Sequence, residues 1–238
     1  MNLRTRVASA AARTVQRTGF EVTRDRFKHR FVHALGQHGV HTVLDVGANA
    51  GQFGQALRRA GFTGRIVSVE PLAEAHAALA ARAARDPAWT VERAAVSEQA
   101  GSLVVNVSAN SVSSSVLPIL ERSTAAAPQT GYVGTESVPA TTVAELVQRH
   151  ALDPAATLLK IDVQGYELPV LRGAGATLDR FAAVRTEMSL VPLYEGQAVL
   201  PEMIDFFAQR GFELWYVEPG WVEPGTRRLL QLDGVFFR

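Results

Sequence analysis

The stretch whose reading decides the fold is VLDVGANAGQFG, residues 43–54. An apolar run enters Asp45, a glycine-rich turn follows, and a helical pattern, GQFGQALRRAG, begins on Gly51. A turn of this kind between a strand and a helix presents backbone N–H groups to a ligand. A dinucleotide fold would ask for G-x-G-x-x-G, with glycines letting the pyrophosphate approach. Here the glycines are Gly47, Gly51 and Gly54, and Asn49 stands in the middle position. Asp45 would repel a pyrophosphate, and a carboxylate there suits a cationic amino group instead.

The next strand pattern, GRIVSVEP, closes on Glu70, 19 residues after Gly51. An acidic residue at that place accepts hydrogen bonds from both hydroxyls of a ribose. An amino-acid cation joined to a ribose describes S-adenosylmethionine (SAM). The bland alternative is that Asp45 only caps the helix and Glu70 lies on the surface. The two carboxylates in this order and at this separation favour SAM.

Outward from there, strand and helix patterns alternate. LAEAHAALAARAA reads as a helix, and WTVERAAV and SLVVNVS read as strands. Residues 109–137 are rich in Ser, Ala, Thr and Gly and show little periodicity. TTVAELVQRH is a helix, TLLKIDVQG a strand, YELPVLRGA a short helix, FAAVRTEMSL a strand and VLPEMIDFFAQRG a helix. FELWYVEP and LQLDGVFFR form a final strand pair. Alternation of this type implies a mostly parallel sheet covered by helices on both faces. Ligands of such sheets bind at the carboxyl ends of the strands.

Composition bounds the rest. The 238 residues, 47% hydrophobic and 20% charged, suit one α/β domain, and a net charge of +1 gives no field for nucleic acid. With no cysteine, disulfides and thiolate metal sites are excluded. No apolar run approaches the roughly 18 residues of a membrane span, and the amino terminus lacks the apolar core of a signal peptide. The expected location is the cytoplasm. Residues 1–30 carry eight arginines and lysines against Glu21 and Asp25, a net of +6. Leu3, Val7, Ala11 and Val15, and then Phe27, Phe31 and Leu35, recur at helical spacing. Residues 1–40 therefore read as a basic helical extension, and 41–238 as the main domain. The extension is either a cap with a solvated basic face or a peripheral contact with the inner face of an anionic membrane.

From residue 41 to 237 the chain resembles the FkbM family of SAM-dependent methyltransferases. The carriers are VLDVGANAGQFG, IVSVEP, ERAAVSEQAG, NSVSSSVL, LLKIDVQGYELPVLRGA, TEMSLVPLYEG and LDGVFFR, of which KIDVQGYE with its VL-x-GA ending is the most specific. The resemblance implies a Rossmann-like class I methyltransferase fold, with a seven-stranded, mostly parallel sheet whose last strand is antiparallel. It implies transfer of a methyl group to a hydroxyl, most often of a sugar in a glycolipid, polysaccharide or glycosylated natural product. Lipid and polyketide hydroxyls are the alternatives. It places Asp45, Gly47, Ala48, Asn49, Gly51, Phe53, Glu70, Pro71, Arg93 and Ala94 on the cofactor side. Two positions depart from the family pattern, which often has asparagine at Arg93 and glutamate at Gln164.

An aliphatic hydroxyl is a poor nucleophile at neutral pH and needs a base or a metal ion beside it. Lys160 and Asp162 lie two apart on one strand and share a face. Glu167 follows one turn into the next helix, and Glu187 ends the next strand. All four are candidate catalytic residues, and Asp162 with Glu187 is a candidate Mg²⁺ site, since magnesium prefers carboxylate and water ligands. The competing reading makes Lys160 half of a buried ion pair that orients a loop. The six histidines fall on expected helices or strand starts, so a histidine base is not expected. Tyr166, Tyr194, Trp215 and Trp221 are either core residues or a stacking surface for a sugar. The serines of NSVSSSVL either line the acceptor entrance or form a turn. Oligomeric state stays open, a dimer included. Two other classes compete: a nicotinamide-dependent reductase, which lacks its G-x-G-x-x-G and Tyr-x-x-x-Lys here, and a non-catalytic SAM-binding partner.

Overall fold

The structure is a computed structural model and describes residues 26–238. In chain order its first half runs α1 (Arg26–Gln37), β1 (Thr42–Val46), α2 (Gln52–Arg59), β2 (Arg65–Val69), α3 (Ala73–Ala83), β3 (Trp89–Glu92), β4 (Ala95–Val96) and β5 (Gly101–Ser108). It continues with α4 (Glu121–Ala126), β6 (Tyr132–Thr141), α5 (Val143–Arg149), β7 (Thr157–Ile161), α6 (Glu167–Arg172), β8 (Ala183–Ser189), α7 (Leu200–Ala208), β9 (Glu213–Pro219) and β10 (Gln231–Phe237).

The main sheet has seven strands in the order β3-β2-β1-β7-β8-β10-β9. Every pairing is parallel except the two that β10 makes, with β8 and with β9. The expected sheet with an antiparallel last strand is therefore present. β1, β2 and β7 read as nearly unbroken apolar runs because both of their faces are covered. On one face, Phe31 and Leu35 of α1, Leu57 of α2 and Leu79 of α3 pack on Val43, Ile66, Leu158 and Val235. On the other, Leu146 of α5, Leu171 of α6 and Phe207 of α7 pack on Leu44, Leu159, Val184 and Phe236. Phe31 and Leu35 are core residues as expected, and α1 shares one packed body with the sheet. The basic stretch before residue 26, and the side chain of Phe27, lie outside the described residues. Among the described residues, no helix is long and apolar enough to cross a membrane.

The aperiodic stretch at 109–137 is not structureless. It holds α4 and the first half of β6, which pairs antiparallel with β5 from Gly101↔Ala140 to Ser108↔Tyr132 and parallel with β4. Gly134 and Pro139 make β6 a poor strand by propensity, so the pairing on both sides supplies what the residues lack. This small sheet and the serine segment after β5 stand over the carboxyl ends of β1, β2 and β7.

Candidate active site

The glycine-rich turn and the strand ends border a cavity of about 350 Å³, within the roughly 300–1,000 Å³ of small-molecule sites. The turn is tied to β2. The N–H groups of Gly47 and Ala48 both donate to the Val69 carbonyl, at 3.0 and 3.1 Å. The Asn49 N–H donates to Glu70 Oε2 at 2.8 Å, and the Leu72 N–H to Glu70 Oε1 at 3.0 Å. The two motifs that the chain separates thus meet at one carboxylate. Glu70 is only 4% exposed, yet it lines the cavity. Burial pushes its pKa up to about 7, against the lowering effect of its two backbone donors. A carboxylate has about four acceptor sites, so each oxygen keeps one for a ligand hydroxyl. Val46, Leu72, Ala94 and Val96 supply apolar wall nearby. A buried acceptor beside apolar wall fits the ribose and adenine of SAM.

Of the expected cofactor residues, Gly47, Ala48, Asn49, Phe53, Glu70, Pro71 and Ala94 line the cavity. Asp45, Gly51 and Arg93 do not. Gly51 lies behind the turn, where an added Cβ would come within 2.8 Å of Leu79. Arg93 turns outward and pairs with Glu136 of β6, while its Nε donates to the Pro71 carbonyl at 3.2 Å. It fastens the small sheet to the Glu70 loop. Asp45 is fully buried inside the sheet, because its β1 position registers with Lys160 on β7 and Ser68 on β2.

Lys160 lies under the turn. Its Nζ is 3.0 Å from Asp45 Oδ1, an ion pair rather than a directed hydrogen bond, and 3.7 Å from Asp162 Oδ2. It also donates to the Gly47 carbonyl at 2.9 Å. Burial disfavours its charge, but the two aspartates outweigh this and hold its pKa above the ordinary lysine value. A lysine so charged is no base. It pins the turn, as the ion-pair reading held. Lys160→Met strands Asp45 as an unpaired buried charge and is expected to cost about 3–5 kcal/mol. Urea denaturation reads the loss, and a change below about 1 kcal/mol would remove the ion pair from this account.

The remaining candidates separate into layers. Asp162 lines the cavity with its side chain 39% exposed. Glu187 lies behind it, outside the lining, and accepts from Gln164 Nε2 at 3.0 Å and Gln231 Nε2 at 2.6 Å on the same oxygen. Burial, with Asp162 and Glu167 facing it, raises its pKa well above the carboxylate range. Glu167 is buried beneath the loop and accepts the N–H groups of Val163 and Gly165 at 3.1 and 3.2 Å. Burial brings its pKa up to about 7. Its position is that of a loop anchor, away from the cavity. The Mg²⁺ expectation meets a donor mismatch. The Gln164 amide nitrogen stands between Asp162 and Glu187, and no group of three or more His, Asp or Glu among the described residues could hold a metal ion.

The opposite wall is the serine segment, with Ser111, Ser114 and Ser115 in the lining beside Val112 and Val116. Tyr166 also lines the cavity, its hydroxyl 3.0 Å from Ser97 Oγ. Tyr194 is buried, Trp221 packs on the Leu193–Leu230 cluster, and Trp215 lies against His38 and Phe237. No histidine is in the lining among the described residues. Arg185 and Asp233, which no sequence motif marks, also line the cavity and pair at 2.9 Å.

A seven-stranded sheet of this order, with a cavity over the ends of β1, β2 and β7, is the Rossmann-like architecture of class I methyltransferases. The family model described as the methyltransferase FkbM domain matches residues 45–214, and the chain belongs to that family. A search of curated proteins finds no match. Among solved structures, an O-methyltransferase from Bacillus cereus in complex with SAH is similar at 10% identity and a TM-score of 0.50, covering 91% of this chain and 82% of that one. A TehB-like SAM-dependent methyltransferase from Corynebacterium glutamicum covers 99% of this chain and 98% of its own, at 15% identity and a TM-score of 0.42. At 10% identity the likeness to the Bacillus cereus protein is one of fold.

Proposed function

We propose that this methyltransferase uses SAM to methylate a hydroxyl, and that the hydroxyl belongs to a sugar of a glycolipid, polysaccharide or glycosylated natural product. The observation that carries the reading is a single cavity with the buried Glu70 acceptor at one side and the part-exposed Asp162 carboxylate at another. The Bacillus cereus neighbour, which holds SAH, supports the cofactor. SAM, when bound, supplies a methyl group on a sulfonium, already a good leaving group. Glu70 receives the ribose hydroxyls, and Lys160 keeps the Gly47 turn in place beneath. Asp162 takes the acceptor's proton as the new C–O bond forms and the S–CH₃ bond breaks. The serine segment walls the cavity beside the acceptor, and positioning of the acceptor oxygen against the methyl supplies much of the acceleration. The mixture of serine and valine along that wall suits the mixed polarity of a sugar.

The experiment is incubation with methyl-labelled SAM and a panel of glycosides, fatty alcohols and polyketide lactones. The expected product is a base-stable methyl ether on a glycoside. Label released as methanol by mild base marks a carboxyl ester, and label on nitrogen marks an amine. Either would overturn the O-methylation reading.

A further inference from the structure

Gln164, a cavity-lining residue that the mechanism has not used, joins the Asp162 and Glu187 carboxyl groups to the serine wall. Its Nε2 donates to Asp162 Oδ1 at 2.9 Å and to Glu187 Oε2 at 3.0 Å. Its Oε1 lies 2.9 Å from the Tyr194 hydroxyl, which also reaches the Ser113 carbonyl at 3.2 Å. Its backbone carbonyl accepts from Ser115 Oγ at 2.7 Å. The residue adopts φ +55°, a left-handed conformation that L side chains rarely take, and Gly165 follows at +93°. Glu167 holds this bent loop from below through the Val163 and Gly165 N–H groups. The chain thus maintains an uncommon backbone shape that puts an amide between two carboxylates.

We propose that Gln164 is a positioning residue whose amide, in the gap between Asp162 and Glu187, supplies hydrogen bonds where a metal site would need a further ligand oxygen, so that Asp162 receives the acceptor proton with no metal ion held by this pair. The inference deepens the proposed function and rests on it for the acceptor half. A divalent ion of the magnesium type needs converging oxygen lone pairs. An amide nitrogen offers two N–H donors and no lone pair. Each carboxylate accepts one of those protons, so the carboxylates are held side by side by hydrogen bonds instead of by a cation. Turning the amide over would put its oxygen against the Asp162 carboxylate, so the N–H end faces Asp162. Gln231 Nε2, on the same oxygen of Glu187, adds a second donor where an ion would need open coordination. One substitution reverses this chemistry. Gln164→Glu replaces the N–H donors with a third carboxylate facing the same gap.

The test uses the full chain and Mn²⁺ as the probe, read by the loss of free-ion EPR signal and by calorimetry. Wild type, Gln164→Glu, Gln164→Met and the double variant Gln164→Glu/Asp162→Asn are compared, with SAM titrated into each. The wild type and Gln164→Met are expected to show no Mn²⁺ site up to about 1 mM, while Gln164→Glu gains at least about tenfold in Mn²⁺ affinity. The double variant is expected to lose that gain. Mn²⁺ binding to the wild type that disappears in Asp162→Asn would overturn the proposal. So would a Gln164→Glu protein that binds SAM like the wild type and gains no Mn²⁺ site. Failure of the wild type to bind SAM would instead strike the cofactor reading and leave the Mn²⁺ comparison intact.

Discussion

Gly47→Ala is expected to abolish SAM binding and to cost the fold about 2–5 kcal/mol. A Cβ on Gly47 would lie 1.8 Å from the Asp162 carbonyl oxygen and 2.8 Å from its carbonyl carbon. Those are backbone atoms at the end of β7, so no side chain can swing away. The residue also sits at φ +71°, which costs an L residue roughly 1–2 kcal/mol by itself. Overpacking adds about 1–3 kcal/mol, occasionally more. Relief requires β1 and β7 to part at the cavity floor, which moves Lys160 off the Gly47 carbonyl and Asp162 away from the cavity. Gly39 provides the control. Its φ is +69°, but an added Cβ would meet nothing within 4 Å. Gly39→Ala is expected to lose only the conformational term and to keep SAM affinity. Thermal or urea unfolding with a SAM titration reads both variants. Equal losses at the two positions would show that φ alone, and not the approach of the β7 backbone, fixes glycine at position 47.

Asp162→Asn is expected to lower methyl transfer at least about a hundredfold, the lower end for a positioned base. That is about 2.7 kcal/mol of barrier. The substitution keeps the side chain's shape, and asparagine retains one oxygen to accept from Gln164. Lys160 keeps its closer partner, Asp45 at 3.0 Å, so the turn stays anchored. SAM affinity is expected to change less than about threefold, because Asp162 is remote in role from the Glu70 end of the cavity. Turnover on whichever glycoside the panel identifies, measured at saturating SAM, separates the two effects. Normal turnover with collapsed SAM affinity would move Asp162 to the cofactor side.

Much of the fold was legible because its strands are short apolar runs ending in chemistry. TVLDV, RIVSV and TLLKI each close at the cavity, and the helices between them have clear apolar faces. β6 was not legible. YVGTESVPAT has no alternation, its Tyr, Val and Thr residues are interrupted by Gly134 and Pro139, and it becomes a strand because β4 and β5 flank it. Pairing of that kind is a tertiary fact. The same limit explains the site. Glu70 and the turn were visible as a pair, since each ends or follows one strand. Lys160 opposite Arg185, and Glu187 opposite Asp233, are matters of register between strands that the chain does not place in sequence. Asp45 was read as cavity-facing because it precedes the turn. It is fully buried and paired with Lys160, which lines the cavity in its place. Gln164 looked like a missing carboxylate, and only the geometry shows that its amide has two carboxylates to bridge.

The central claim is that Glu70 and the Gly47 turn hold SAM. Ribose hydroxyls donate to a carboxylate, so binding favours the ionised form of Glu70. With its pKa at about 7 in the free protein, ionisation is nearly absent at pH 6 and nearly complete at pH 8. SAM should therefore bind about tenfold tighter at pH 8 than at pH 6, with a proton released on binding. Glu167 titrates in the same range but lies away from the cavity, so Glu70→Ala isolates the relevant group. Calorimetric titration of wild type and Glu70→Ala at both pH values, with SAM and then with NAD, is the direct measurement. The expected result is SAM binding without NAD binding, a loss of about 1.5–3 kcal/mol in the variant at pH 8, and no pH dependence left in it. NAD binding in place of SAM, or an unchanged SAM dissociation constant in folded Glu70→Ala, would contradict the account.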